Sequence, residues 1–450
     1  MMTLIKRLTL LTSLVLVAFL AVACGEEIEG TVYNFDEDQT TVETIRVWLD
    51  NDDYANALIA AFEAQNPGIK VIYENVGAVD VRQRLELYGG SPSAADVVVF
   101  PHDHIGQALN SNLLYEITGN LATDLQTRMI SSAIETATAC FDQTTNRVVD
   151  CEGDAQSFLF GAPLSGESVA LFYNKTLLEE LTGSPEPAAT FEEIIEHAND
   201  AEIAAELEDR ESVMIGLDVG NAYDMHFAAT AFGFELFGSD HLDKNSPNLG
   251  SQAMIDALTW LNGTVRPALN NFESADLHGD ANKTKFLNGD LPYMVTGPWN
   301  IADFIDAGDL NDFEFGVTQI PTIDGNQPIS FSGVQIASVY RGTQNPEAAF
   351  KFLEFMTSDE GLAILYSTTF KLPALVDVSV VDGVSDDEYL SGISAQMVYS
   401  HPMPIIPEMG YFWSNAGSMY SQAWNGTRTP EEAAQTAEDG YLDQAGLAAE

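Results

Sequence analysis

The chain has 450 residues, enough for two or three domains of ordinary size, and 46% of them are hydrophobic, which supplies material for large packed cores. Its 18 basic residues stand against 68 acidic ones, a formal net charge of −50. A surface of that sign repels nucleic acid and anionic headgroups, so no nucleic-acid partner is expected, and the excess reads as a solvated acidic shell.

At the N-terminus Lys6 and Arg7 precede an apolar run from Leu8 to Ala23. A short basic region before an apolar stretch is the form of an export signal. The run is shorter than the ~20 apolar residues a membrane-spanning helix needs. Its end, Ala21-Val22-Ala23-Cys24, resembles a bacterial lipobox, although the leucine stands one step early, at Leu20. The resemblance implies a signal peptide over residues 1–23, acylation of Cys24 and extracytoplasmic anchoring to the cell membrane; simple cleavage and release is the alternative. Residues 24–43 carry Glu26, Glu27, Glu29, Asp36, Glu37 and Asp38 with little that could pack, and read as a flexible tether. With Cys24 assigned to lipid, Cys140 and Cys151 remain of the three cysteines. In an exported protein such a pair reads as a disulfide closing a small loop.

Beyond the tether, Thr44–Trp48 is predicted as a strand and Tyr54–Gln65 as a helix with Leu58, Ile59 and Phe62 at helical spacing. Asn66-Pro67-Gly68 breaks that helix, and Ile69–Tyr73 is the next strand. Arg82–Tyr88 reads as a helix, Gly89–Pro92 as a turn, and Ala95–Phe100 as a buried strand. Strand and helix in alternation indicate an α/β protein with parallel pairing. The alternation resumes with strands at Ser168–Tyr173, Val213–Leu217, Leu291–Thr296 and Phe315–Ile320. Helices are predicted at Thr190–Ala201, Ser251–Leu261 and Pro346–Met356.

Several segments in this order resemble the maltose-type extracellular solute-binding proteins of ABC sugar importers. They are Val47-Trp48 through Val71, Phe100 to Gly106, Ala162-Pro163 with Glu167, and Phe172 to Lys175. The match continues at Phe286 to Gly289, Gly297-Pro298-Trp299-Asn300, Thr357 to Gly361, and Pro407 to Trp413. The resemblance implies an α/β, two-lobed periplasmic-binding-protein fold of type II, with parallel-rich sheets, flanking helices and three hinge crossings. Lobe 1 would hold residues 44–165 plus 337–366, and lobe 2 residues 166–336 plus 367–450. It also implies a monomer that captures a neutral, maltodextrin-like oligosaccharide by hinge closure and delivers it to permease subunits, with no cofactor, no metal and no chemistry on the ligand.

Sugar recognition needs aromatic faces for pyranose C–H surface and fixed acceptors for hydroxyls. Carried over position by position, the aromatic platforms are Phe100, Tyr223, Trp299 and Trp413, and the carboxylates are Asp52, Asp103 and Glu167. Four further positions depart from the family pattern. Asp53 stands where a lysine is usual, His104 where an arginine is usual, Asn221 where an acid is usual, and Gly417 where an arginine is usual. Loss of those cationic donors makes the cleft more negative and favours a neutral or partly cationic ligand over sugar acids or phosphates.

HExxH, GxSxG, P-loop and GxGxxG motifs are absent from the sequence. An oligosaccharide hydrolase using Asp103 and Glu167 is the enzymatic alternative, against which stands the lack of any evident pocket to raise one carboxyl. A binding protein for another neutral solute is the second. Asp240 to Asn245 has a loose calcium-loop character without the required spacing, and reads as a polar loop.

Overall fold

The computed structural model describes residues 42–142, 147–148, 157–239 and 241–448. The signal segment, Cys24, all but the last two residues of the tether, Cys151 and Asp240 lie outside the described residues.

Strand β1 (Glu43–Leu49) leads over the helix Asp52–Gln65 into β2 (Ile69–Asn75), and the helix Val81–Tyr88 leads into β3 (Val97–Pro101). β1 lies parallel between β2 and β3. The first helix starts where Asn51 accepts from the Tyr54 amide, and it buries Leu58 and Phe62. Phe62 meets Phe352 of the helix Pro346–Met356 edge-on, with centroids 4.9 Å apart. This N-terminal alternation is the part that matches the predicted pattern most closely.

The strands β4 (Thr138–Asp142), β5 (Arg147–Val148) and β6 (Ser157–Leu159) form a small antiparallel sheet. Cys140, on β4, is disulfide-bonded.

The predicted strand Ser168–Tyr173 is in fact two, β7 (Ala162–Ser168) and β8 (Ala170–Asn174), which belong to different sheets and part at Val169. With β9 (Ile215–Gly216), β10 (Tyr293–Thr296) and β11 (Phe315–Thr318), β8 builds a second sheet in the order β11-β8-β10-β9. There β8 runs antiparallel to both neighbours, while β10 and β9 are parallel. The chain returns to the first sheet through β12 (Ser330–Val339), which lies antiparallel between β7 and β3. Short β13 (Leu372–Pro373) pairs with β7 and β14 (Ser400–Pro402) with β12, completing the order β13-β7-β12-β3-β1-β2. Strand-helix alternation encodes the parallel N-terminal trio but not these mixed later pairings.

The chain therefore leaves the first sheet at Val169, rejoins it at Ser330, leaves it a second time after β13, and touches it once more at β14, giving three passages before that last return. On the third passage the helix Glu388–Met397 packs on β11, with Tyr389 stacked on Phe315 at 4.4 Å. The C-terminal helices Met409–Trp424 and Pro430–Gln444 follow. Among the described residues no helix is long and apolar enough to cross a membrane.

Candidate functional site

Five of the residues named from the sequence meet where β7 and β12 run side by side. Glu167 lies on β7 opposite Gly333 of β12. A Cβ added at Gly333 would sit 3.0 Å from Glu167 Cγ and 3.4 Å from the Tyr223 hydroxyl oxygen. The missing side chain thus lets both groups converge over the strand. Gln335 Nε2 donates to Glu167 Oε1 at 2.7 Å, and the buried Oε2 has no hydrogen-bond partner among the described residues.

Tyr223 stands in the first turn of the helix Ala222–Thr230. Its ring is half-buried, and its covered hydroxyl is also without a partner among the described residues. The ring centroid lies 6.2 Å from Trp299 and 6.4 Å from Trp413, and the ring stacks on Phe331 at 6.1 Å. Trp299, on the one-turn helix Pro298–Asn300 after β10, is 38% exposed. Its ring folds back over Gly297, where a side chain would collide with it.

Trp413 lies within the helix Met409–Trp424, half-buried, and its indole Nε1 donates to Asp103 Oδ2 at 2.9 Å. Asp103 sits in the turn His102–His104 that ends β3. That turn is anchored by buried His102, whose Nδ1 accepts from the Val334 amide at 3.0 Å. The opposite ring nitrogen then carries the proton and donates to the Met403 carbonyl at 2.9 Å. His104 Nε2 is 4.0 Å from Asp103 Oδ2, and its covered Nδ1 has no hydrogen-bond partner among the described residues.

The electrostatics follow from burial. Desolvation pushes the Glu167 carboxyl above the ordinary glutamate value; the Lys371 ammonium and the Gln335 bond pull it down, and Asp50 and Asp103 push it up again. Burial, then the charges of Glu167, Asp224 and Asp103, keep the Tyr223 hydroxyl protonated far beyond its usual range. A raised carboxyl at Glu167 corrects the expectation that no group here is shifted that way.

Phe100 is not a platform. It is 1% exposed, its residue in β3 pairs with Ile336 of β12, and its side chain fills the core beneath His104. Asn221 is exposed and its side-chain oxygen is committed to capping, accepting from the Tyr223 amide at 3.0 Å. Asp52 and Asp53 are exposed at the start of the first helix. Asp52 Oδ1 accepts from the Tyr73 hydroxyl at 2.7 Å and from Asn75 at 2.8 Å, and these bonds hold its carboxyl below the usual value. The first-loop carboxylate that acts on Glu167 is Asp50. Gly417, the site of the missing arginine, abuts the Gly220 carbonyl so closely that an added Cβ would lie 2.7 Å from it. Any side chain there would push the helix Met409–Trp424 off the turn that precedes the helix Ala222–Thr230.

The sequence reading missed Phe331, Gln335, Asp50 and Lys371. Gln335 interrupts the apolar run Val334 to Val339, and Lys371 follows Phe370 and precedes Leu372-Pro373. A large polar side chain set among apolar neighbours was the available signal. Lys371 supplies a buried cation that acts on Glu167, at none of the positions where the family's cationic donors are lost. Behind the aromatic wall, His226 stacks on Phe331 at 3.6 Å, and its Nε2 lies 3.1 Å from His401 Nε2.

Together the site offers three aromatic faces, two carboxylates and a phenol at one junction, a set suited to sugar C–H faces and hydroxyls. The model for bacterial extracellular solute-binding proteins matches residues 57–390. The chain is 25% identical over 435 residues to the maltooligosaccharide ABC transporter solute-binding lipoprotein of Streptococcus pneumoniae R6, covering 96% of this chain and 95% of that one. It is 26% identical over 364 residues to the maltotriose-binding protein of Pyrococcus abyssi, covering 79% and 71%. In fold it is similar to the Thermus thermophilus maltotriose binding protein bound with maltotriose, with a TM-score of 0.73 at 22% identity over 89% of this chain and all of that one. A cyclo/maltodextrin-binding protein complexed with maltotetraose gives 0.67 at 24% identity over 90% and 98%. With a two-lobed periplasmic-binding-protein fold and a family match over most of its length, the chain belongs to the bacterial extracellular solute-binding protein family.

Proposed function

We propose that this protein captures a neutral malto-oligosaccharide outside the cytoplasm, closes its two halves around it by hinge motion, and presents it to the permease of an ABC importer. Acylated Cys24 would hold the monomer at the membrane, with the acidic tether as its leash. The observation that carries the reading is Tyr223 set between Trp299 and Trp413, with the unengaged Glu167 Oε2 and Asp103 beside it. Relatives named for maltooligosaccharide and maltotriose binding support the ligand class.

Relatives named as binding proteins support binding without chemistry on the ligand. The Trp413 indole fixes the Asp103 carboxyl and Gln335 the Glu167 carboxyl in place, an arrangement suited to accepting from sugar hydroxyls. Calorimetric titration with maltotriose, glucuronate and a sugar phosphate tests the ligand class. Binding of maltotriose alone is expected; binding of the charged sugars without maltotriose overturns it. Incubation with maltohexaose should return it unshortened, and shorter products would restore the hydrolase.

A further inference from the structure

The strand pairing carries an inference about Lys371. β13 pairs antiparallel with β7, Leu372 opposite Gly166 and Pro373 opposite Ser165. Continuing that register by one residue puts Lys371 across from Glu167, and directly opposed residues of an antiparallel pair share one face. Lys371 is 9% exposed, an unusual state for a lysine. It lines a chamber with room for about one water molecule, together with Asp50, Tyr54, Ser165 and Gln335. The Ser165 and Tyr54 hydroxyls are buried there without partners among the described residues.

We propose that Lys371 is a positioning residue: it acts behind the site as the internal counter-ion that keeps Glu167 an anionic acceptor for the ligand. This rests on the reading of Glu167 given under Proposed function. The groups acting on Glu167 come from every side. Asp50 comes from the loop after β1, Asp103 from the turn after β3, Gln335 from β12 and Lys371 from the segment before β13, while the neutral Tyr223 hydroxyl is itself held protonated in part by Glu167. Lys371 is the cation among them. Burial and the two aspartates favour the protonated acid, whose Oε2 would turn from acceptor to donor. Lys371 and the Gln335 bond oppose them.

The test is maltotriose affinity against pH for wild type, Lys371→Met and Lys371→Arg. Wild type should hold its affinity across neutrality. Lys371→Met should be weaker by about tenfold or more on the acid side of neutrality and recover in alkali, a tenfold change per unit of displaced titration. Lys371→Arg should restore the flat profile. The double variant Glu167→Gln, Lys371→Met, which leaves no buried carboxylate in need of a cation, should lose the pH dependence and serves as the folding control. A Lys371→Met profile parallel to wild type overturns the proposal. Infrared difference spectra of unliganded Lys371→Met against the double variant read the Glu167 protonation directly. A carboxylate band at neutral pH overturns the proposal even if no malto-oligosaccharide binds, an outcome that would sink only the functional reading.

Discussion

Trp413 Nε1 donates to Asp103 Oδ2 at 2.9 Å across 310 residues of sequence, and so ties the helix Met409–Trp424 to the turn that ends β3. Asp103 is nearly fully buried, so the bond fixes the angle of the indole as well as occupying one carboxylate oxygen. Trp413→Phe keeps a ring and removes the donor. It should weaken maltotriose binding by about tenfold, the scale of one hydrogen bond to a charged group. Trp413→Ala should lose a further about tenfold with the aromatic face. Equal affinities of the two variants by titration calorimetry would show that the ring face contributes nothing.

Two glycines hold the site open, and neither has a positive φ, so alanine tests space alone. Gly297→Ala should lift Trp299 off its own backbone, and Gly333→Ala should press on Glu167 and Tyr223. Each is expected to reduce affinity by about tenfold with a fall in melting temperature of a few degrees at most. Intrinsic tryptophan fluorescence reports the Trp299 displacement; an unchanged spectrum for Gly297→Ala contradicts the stacking described here.

Asn221 distinguishes a cap from a ligand contact. Its side chain accepts from the amides of Tyr223 and Asp224, so Asn221→Ala should cost about 1 kcal/mol of stability. Asn221→Asp and Asn221→Ser, which also cap, should restore the melting temperature. Affinity lost equally in all three variants at unchanged stability would mean that Asn221 touches the sugar.

Acid should loosen the wall behind the site. Burial first, then the neighbouring histidines His401 and His241, hold His226 well below the ordinary histidine value, and burial with His241 lowers His401 to about 4. Both rings are neutral when folded and take up protons more readily when unfolded. Stability from this pair is therefore full above about pH 6.5, the ordinary value, and is lost as pH falls toward about 4. Protonation of the chain's many carboxylates relieves repulsion over the same range, so the comparison is with His401→Asn. The melting temperature of wild type should fall more steeply between these limits than that of the variant. Parallel curves would remove the histidines from the acid response.

Much of this site was legible because short motifs carry it. Trp299 after Gly-Pro, Glu167 near the start of the predicted strand, and Asp103 after the buried β3 all reach the junction. Phe100 misled because an aromatic at the end of an apolar strand has the same local pattern whether it faces a cleft or a core. Asn221 caps its helix with a side chain that a ligand contact would also use, and Asp52, next to the cap Asn51, is bonded to Tyr73 and Asn75. The C-terminal helix Pro430–Gln444 had its signal in Thr429, Pro430 and Glu432, a capping box with proline at the first turn, which went unread.

Hydrophobic periodicity, helix breaks and ordered motifs by themselves determined the α/β class, the family and the aromatic and acidic character of the site. These are local properties, written within ten or so residues by side-chain spacing. Only the tertiary structure decided that β7 and β8 part at Val169 into separate sheets, that Phe100 turns inward, and that Lys371 is buried just before β13, the strand that pairs with β7. Those outcomes depend on which distant strands pair and what each side chain meets there, and burial energies of that kind belong to the assembled contacts rather than to any segment alone.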